Sequence, residues 1–161
     1  MTSRRRLLAL TAVALLVGSC SSESVVPILQ PEPSAAFDPA ELAEIVDEIV
    51  GDLQPTTVAD ALFTRASDGY VGGSVVLDLE ATTSEFLTAE VEWTTWEPGV
   101  GALLLGQPFA RDADTIEVSF TRECGYDVNG LEPLCAEGGF VELAFTEGHW
   151  SHVETVYTWI S

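Results

Sequence analysis

The sequence predicts an α+β fold: two short N-terminal helices, then an antiparallel sheet of about six strands forming a small sandwich or partly closed barrel. Three observations predict it. Apolar residues recur at helical spacing between Asp38 and Leu53, and beyond Gly69 the period falls to two. The links between the later segments are short and rich in turn residues, which suits hairpins, because parallel strands need crossovers of a dozen or more residues.

The first helix opens at Asp38-Pro39, a capping carboxylate followed by a proline whose missing N–H costs nothing at the first helical position. Leu42, Ile45, Val46, Ile49, Val50 and Leu53 make its apolar stripe, and Glu41, Glu44, Asp47, Glu48 and Asp52 its polar side. Gly51 and Pro55 mark its end. Thr57 with Asp60 three residues on reads as a capping box, starting a second helix through Ala61, Leu62 and Phe63 to about Ala66. Strands follow at Val75–Glu80 and Leu87–Thr94 by alternation, and at Val100–Leu105 as a continuous apolar run buried on both faces. Ile116–Thr121, Val141–Thr146 and His152–Ile160 alternate again. No internal repeat is evident.

Ahead of this domain the chain is of a different kind. Arg4, Arg5 and Arg6 precede an apolar run from Leu7 to Val17, interrupted by Thr11, then Gly18, Ser19 and Cys20. This is the layout of a secretory signal peptide, and the run is shorter than the ~20 apolar residues a permanent span needs. Val17-Gly18-Ser19-Cys20 resembles the lipobox of bacterial lipoproteins. The resemblance covers the first twenty residues, and implies cleavage before Cys20 and a diacylglyceryl thioether on its sulfur. The expected organisation is a cleaved signal over 1–19, a lipidated Cys20 with a tether to residue 37, and one acidic domain over 38–161. The tether from Ser21 to Phe37 holds three prolines and four serines.

Removing the first 19 of 161 residues leaves 142, enough for one domain. It carries three arginines, no lysine and all 26 acidic residues, a net charge of −23. Nucleic acid and anionic headgroups require a basic patch that this chain lacks, so neither is an expected partner beyond the lipid anchor itself. A basic protein or a small molecule is the compatible partner. Cys124 and Cys135, an even pair in an exported chain, read as a disulfide.

Few residues nominate chemistry. Asp127 and Asn129, near Gly130 and Glu132, offer oxygen ligands for calcium. The EF-hand pattern fails, because Gly125 would occupy its first position. His149 and His152 lie in a turn flanked by Glu147 and Glu154 and are the candidates for zinc. Calcium, and zinc or copper at the histidines, are the cofactors the residues suggest, and none is required. No Gly-x-Ser-x-Gly elbow exists, Gly99-Val100-Gly101 lacks its third glycine, and no two of the 26 carboxylates stand out as a catalytic pair. Trp93 and Trp159 fit inward faces, whereas Trp96 and Trp150 fall beside turns and are the candidate binding aromatics. The expected role is a membrane-anchored, non-enzymatic binding or envelope-assembly module. The alternatives are a carrier of a small apolar ligand, a metal-binding protein and a hydrolase.

Overall fold

The structure is a computed structural model that describes residues 37–65, 71–97, 100–123 and 136–160. Helix α1 (Pro39–Leu53) begins where its sequence signals place it. Asp38 accepts hydrogen bonds from the amides of Ala40 (3.0 Å) and Glu41 (2.9 Å), and Glu41 accepts one from the Asp38 amide, closing a capping box. The helix stops at Leu53, two residues short of Pro55. Gly51 stays inside the helix, and Gln54 takes the left-handed conformation (φ 47°) while donating its N–H to the Val50 carbonyl.

The second helix expected at Thr57–Ala66 is instead strand β1 (Thr57–Arg65). Its neighbours explain the error. Val58 and Leu62 pack on one side of the sheet, and Ala59, Ala61 and Phe63 on the other. A strand buried on both faces carries a nearly continuous apolar run, which periodicity alone does not separate from a helix. Asp60 caps nothing; its carboxylate accepts from the Thr95 hydroxyl.

The rest of the chain supplies β2 (Val71–Asp78), helix α2 (Leu79–Thr83), β3 (Glu92–Thr94), β4 (Leu103–Gly106), β5 (Phe109–Ala110), β6 (Thr115–Glu123), β7 (Ala136–Thr146) and β8 (His149–Ile160). The protein is therefore mostly β, one mixed sheet of eight strands with two helices, and not the α+β fold with an all-antiparallel sheet expected from sequence. The order is β2-β1-β4-β6-β7-β8, with β3 also on β1 and β5 on β6. β1 runs parallel to both β3 and β4, and the segment between β1 and β4 provides the long crossover that parallel pairing requires. Mistaking β1 for a helix removed the central strand and with it the parallel pairs. The strand expected at Leu87–Thr94 shrinks to β3, and α2 takes over where Val75–Glu80 was expected to end, with Asp78 as its N-cap.

α1 lies on one face. Its apolar stripe joins Val58, Leu62, Leu103, Leu105, Val118, Phe120, Val141 and Leu143 in the main core. The other face carries a smaller cluster of Ala59, Ala61, Phe63, Val71, Ala102 and Leu104 under Trp96. Phe37, assigned to the tether by sequence, packs edge-on against Trp150 at 5.9 Å. A two-residue turn with positive φ at Glu147 and Gly148 joins β7 to β8. β8 is a sheet edge, and two bulges interrupt its ladder with β7. Near the second bulge, a Cβ on Gly139 would overlap the Val156 carbonyl oxygen, so this close approach requires glycine.

Candidate functional site

The two histidines sit on β8 against the acidic side of α1. His149 Nδ1 lies 2.9 Å from Glu44 Oε1. His152 Nε2 lies 2.9 Å from the Thr155 hydroxyl, which itself donates to Asp52 at 2.5 Å. Between them Glu48 accepts the backbone N–H of His152 at 3.0 Å. Each imidazole thus has its own carboxylate, and the pair does not converge. Among the described residues no group of three or more His, Cys, Asp or Glu side chains is arranged to hold a metal ion. The seam has a structural effect: Glu48 takes up a donor beside the bulge at Val153, which closes that part of the sheet edge to another strand.

On the far side of α1, Asp47 accepts the Thr88 and Ala89 amides and the Thr88 hydroxyl. With Glu41 in the capping box, every carboxylate of the helix bonds within the chain. The polar side of the helix is a set of acceptors fastening α1 to its neighbours.

Trp150 is 8 % exposed and packs between Phe37 and Phe145. Trp96 packs edge-on against Phe63 at 5.7 Å and belongs to the second cluster. Both candidate binding aromatics therefore serve packing. Cys20, Cys124, Cys135, Asp127 and Asn129 lie outside the described residues. A cleft of about 240 Å³ opens beyond the end of α1, between Gln54, Thr57, Gly101, Arg122 and Glu123. Arg122 closes its floor by donating to the Leu53 carbonyl at 2.9 Å and pairing with Glu137, which sets a cation at the negative end of the helix.

The arrangement that sequence reading missed lies on the face opposite α1. Glu117 of β6 is 3 % exposed, and the guanidinium groups of Arg65 (3.0 Å) and Arg111 both bind its carboxylate. Arg65 also stacks over Phe109 at 4.7 Å, and Phe109 is the direct cross-strand neighbour of Glu117. With Arg122 on Glu137, all three basic side chains after Cys20 are committed to ion pairs inside the chain. Across the sheet, Glu117 faces Glu142 of β7, and Glu142 faces Glu154 of β8. Three carboxylates thus form one row, buried at the first, half-buried at the second and exposed at the third. Like charges directly opposite each other destabilise a sheet, and Arg65 and Arg111 offset this at Glu117 alone. Glu142 and Glu154 make no hydrogen bond or ion pair with a described residue. No spacing rule could have revealed the row, because it is written across three strands and depends on their register.

At the β5–β6 turn, the Asp114 amide and the Thr115 hydroxyl hold the Asp112 carboxyl below the usual range. No family model, curated protein or solved structure matches the chain.

Proposed function

We propose that the chain is an exported lipoprotein, held by a lipidated Cys20 on the outer side of a cell membrane, with a domain that serves as a non-enzymatic binding or envelope-assembly module for a basic partner. One observation carries the binding reading: every basic side chain after Cys20 is consumed by an internal ion pair, so the charge turned outward is acidic. The anchor rests on the Val17-Gly18-Ser19-Cys20 junction and on the tether after it. Among the described residues no helix is long and apolar enough to cross a membrane. The first described side chain, Phe37, packs on Trp150.

The carrier reading finds less support. The cleft beyond α1 is small for a ligand pocket, and polar groups of Gln54, Thr57, Arg122 and Glu123 line it.

Native mass spectrometry of the protein extracted in mild detergent from its own cells tests the proposal. A mass beginning at Cys20 with a diacylglyceryl group is expected, and Cys20→Ala should leave the membrane fraction. An unacylated chain still found in the membrane fraction, or a Cys20→Ala chain that stays there, would overturn the anchor.

A further inference from the structure

We infer that the chain straps its own N-terminal segment, residues 31–36, across Trp150 on the β7–β8 hairpin, with a main-chain carbonyl of that segment accepting the indole N–H. Two independent observations meet there. The first is a buried donor. Trp150 is 8 % exposed, its Nε1 is buried, and among the described residues nothing accepts its proton. The rings that flank it, Phe37 and Phe145, carry no side-chain acceptor. A buried N–H without an acceptor costs free energy comparable to a lost hydrogen bond, so native proteins rarely leave one.

The second observation is where the chain enters. Phe37 packs edge-on against the same indole at 5.9 Å and joins the main core, so the residues before it start at the ring. Asp38 meets the helix at φ −72° and ψ 164°, in the polyproline II region. Upstream, Pro31 and Pro33 fix their own φ and turn Gln30 and Glu32 away from the helical region, so the sequence itself favours polyproline II. A segment of that kind makes no internal hydrogen bonds, which leaves its carbonyls free as acceptors, and its prolines have no N–H to satisfy. Proline-rich segments dock on aromatic side chains by this route, because they are extended before they bind. Four such residues span about 12 Å, enough to cross an indole from Phe37. The strap does not depend on the lipid anchor, but its consequence rests on that reading. With Cys20 acylated, residues 21–30 alone would link the domain to the membrane, about 35 Å at full stretch against about 55 Å for residues 21–36.

The test uses the full chain, isotope-labelled and purified in mild non-ionic detergent, and changes one side of the contact while reading the other. Pro31→Gly combined with Pro33→Gly alters no described residue. It should speed hydrogen exchange at the Trp150 indole about tenfold, with the amides of β6 and β7 unchanged. The indole signal is assigned by its loss in Trp150→Phe. In the reverse direction, Trp150→Phe removes the donor and keeps an aromatic ring beside Phe145. Cutting by a protease that acts after small residues, followed by mass at Ala35 and Ala36, should then rise several-fold. Indole exchange unaffected by the glycine variant would show that something else, such as a buried water, meets the N–H, and would overturn the strap. Wild-type cutting as fast as in a free peptide of residues 30–37 would overturn it as well. Protection that grows with protein concentration would assign the segment to a second copy and exclude docking within one chain. The acylated mass is measured separately, so failure of the anchor and failure of the strap are distinguishable.

Discussion

Asp47 and Thr88 are joined by both main-chain and side-chain hydrogen bonds: the Thr88 amide reaches Asp47 Oδ2 at 2.9 Å and its hydroxyl reaches the same oxygen at 2.8 Å. The Ala89 amide adds a third donor to the same carboxylate at 2.7 Å. This single side chain fastens the segment between α2 and β3 to the helix, beside the partly buried Leu87, Ala89 and Val91 that pack against the core. Asp47→Ala should therefore lower stability by about 2 kcal/mol, in line with hydrogen bonds to a charged acceptor. Amide exchange should accelerate at Thr88 and Ala89, while amides of β6 and β7 change only with global stability. Unchanged exchange at Thr88 would show that the segment is held by other means.

Glu117 is the strictest electrostatic requirement in the sheet. Glu117→Leu leaves Arg65 and Arg111 without their shared carboxylate and should cost about 3 kcal/mol in urea denaturation. Replacing all three by apolar residues of similar size should recover most of that loss, because desolvating an ion cluster offsets much of its attraction. A triple variant as unstable as the single one would mean that packing at position 117, and not uncompensated charge, sets the cost.

Asp112 gives a pH dependence with a defined sign. Its carboxyl is held below the usual range by the Asp114 amide and then by the Thr115 hydroxyl. A depressed folded pKa contributes stability in full above the unfolded value of about 3.9, and loses it as pH falls through the lower folded value. The melting temperature of the wild type should exceed that of Asp112→Asn at pH 6, and the difference should close as acid protonates the Asp112 carboxyl. A difference that persists in acid would assign the effect to hydrogen bonding that does not depend on charge.

The cysteine pair can be checked against the sheet register. The β6–β7 ladder reaches Glu123 opposite Ala136, and the next residue in sequence on each side is a cysteine, Cys124 or Cys135. Exported protein should therefore weigh two hydrogens less than the reduced chain. Reduction should lower stability by about 3 kcal/mol, as expected for a loop of this length. Two titratable free thiols in protein isolated without reductant would exclude the bond.

Local chemistry made some of this legible in advance. Asp38-Pro39 and the stripe from Leu42 to Leu53 define α1 because a cap and a period of 3.6 are properties of neighbouring residues. The alternation of Ile116, Val118 and Phe120, and of Val141 and Leu143, likewise marks one face of each strand. Thr57–Arg65 was not legible: its apolar residues point to both faces, so the segment has no period until strands lie on either side.

The sequence by itself determined the acidic balance, the capped helix and the half-buried strands, since each follows from composition or from residues a few positions apart. Tertiary structure alone decided the rest. It made β1 a central strand parallel to β4, and turned the acids of α1 into fastenings. It buried Trp150, packed the half-buried Trp96 against Phe63, separated His149 from His152, and aligned Glu117, Glu142 and Glu154. Those outcomes depend on the register between segments tens of residues apart, where a shift of one residue moves every side chain to the other face.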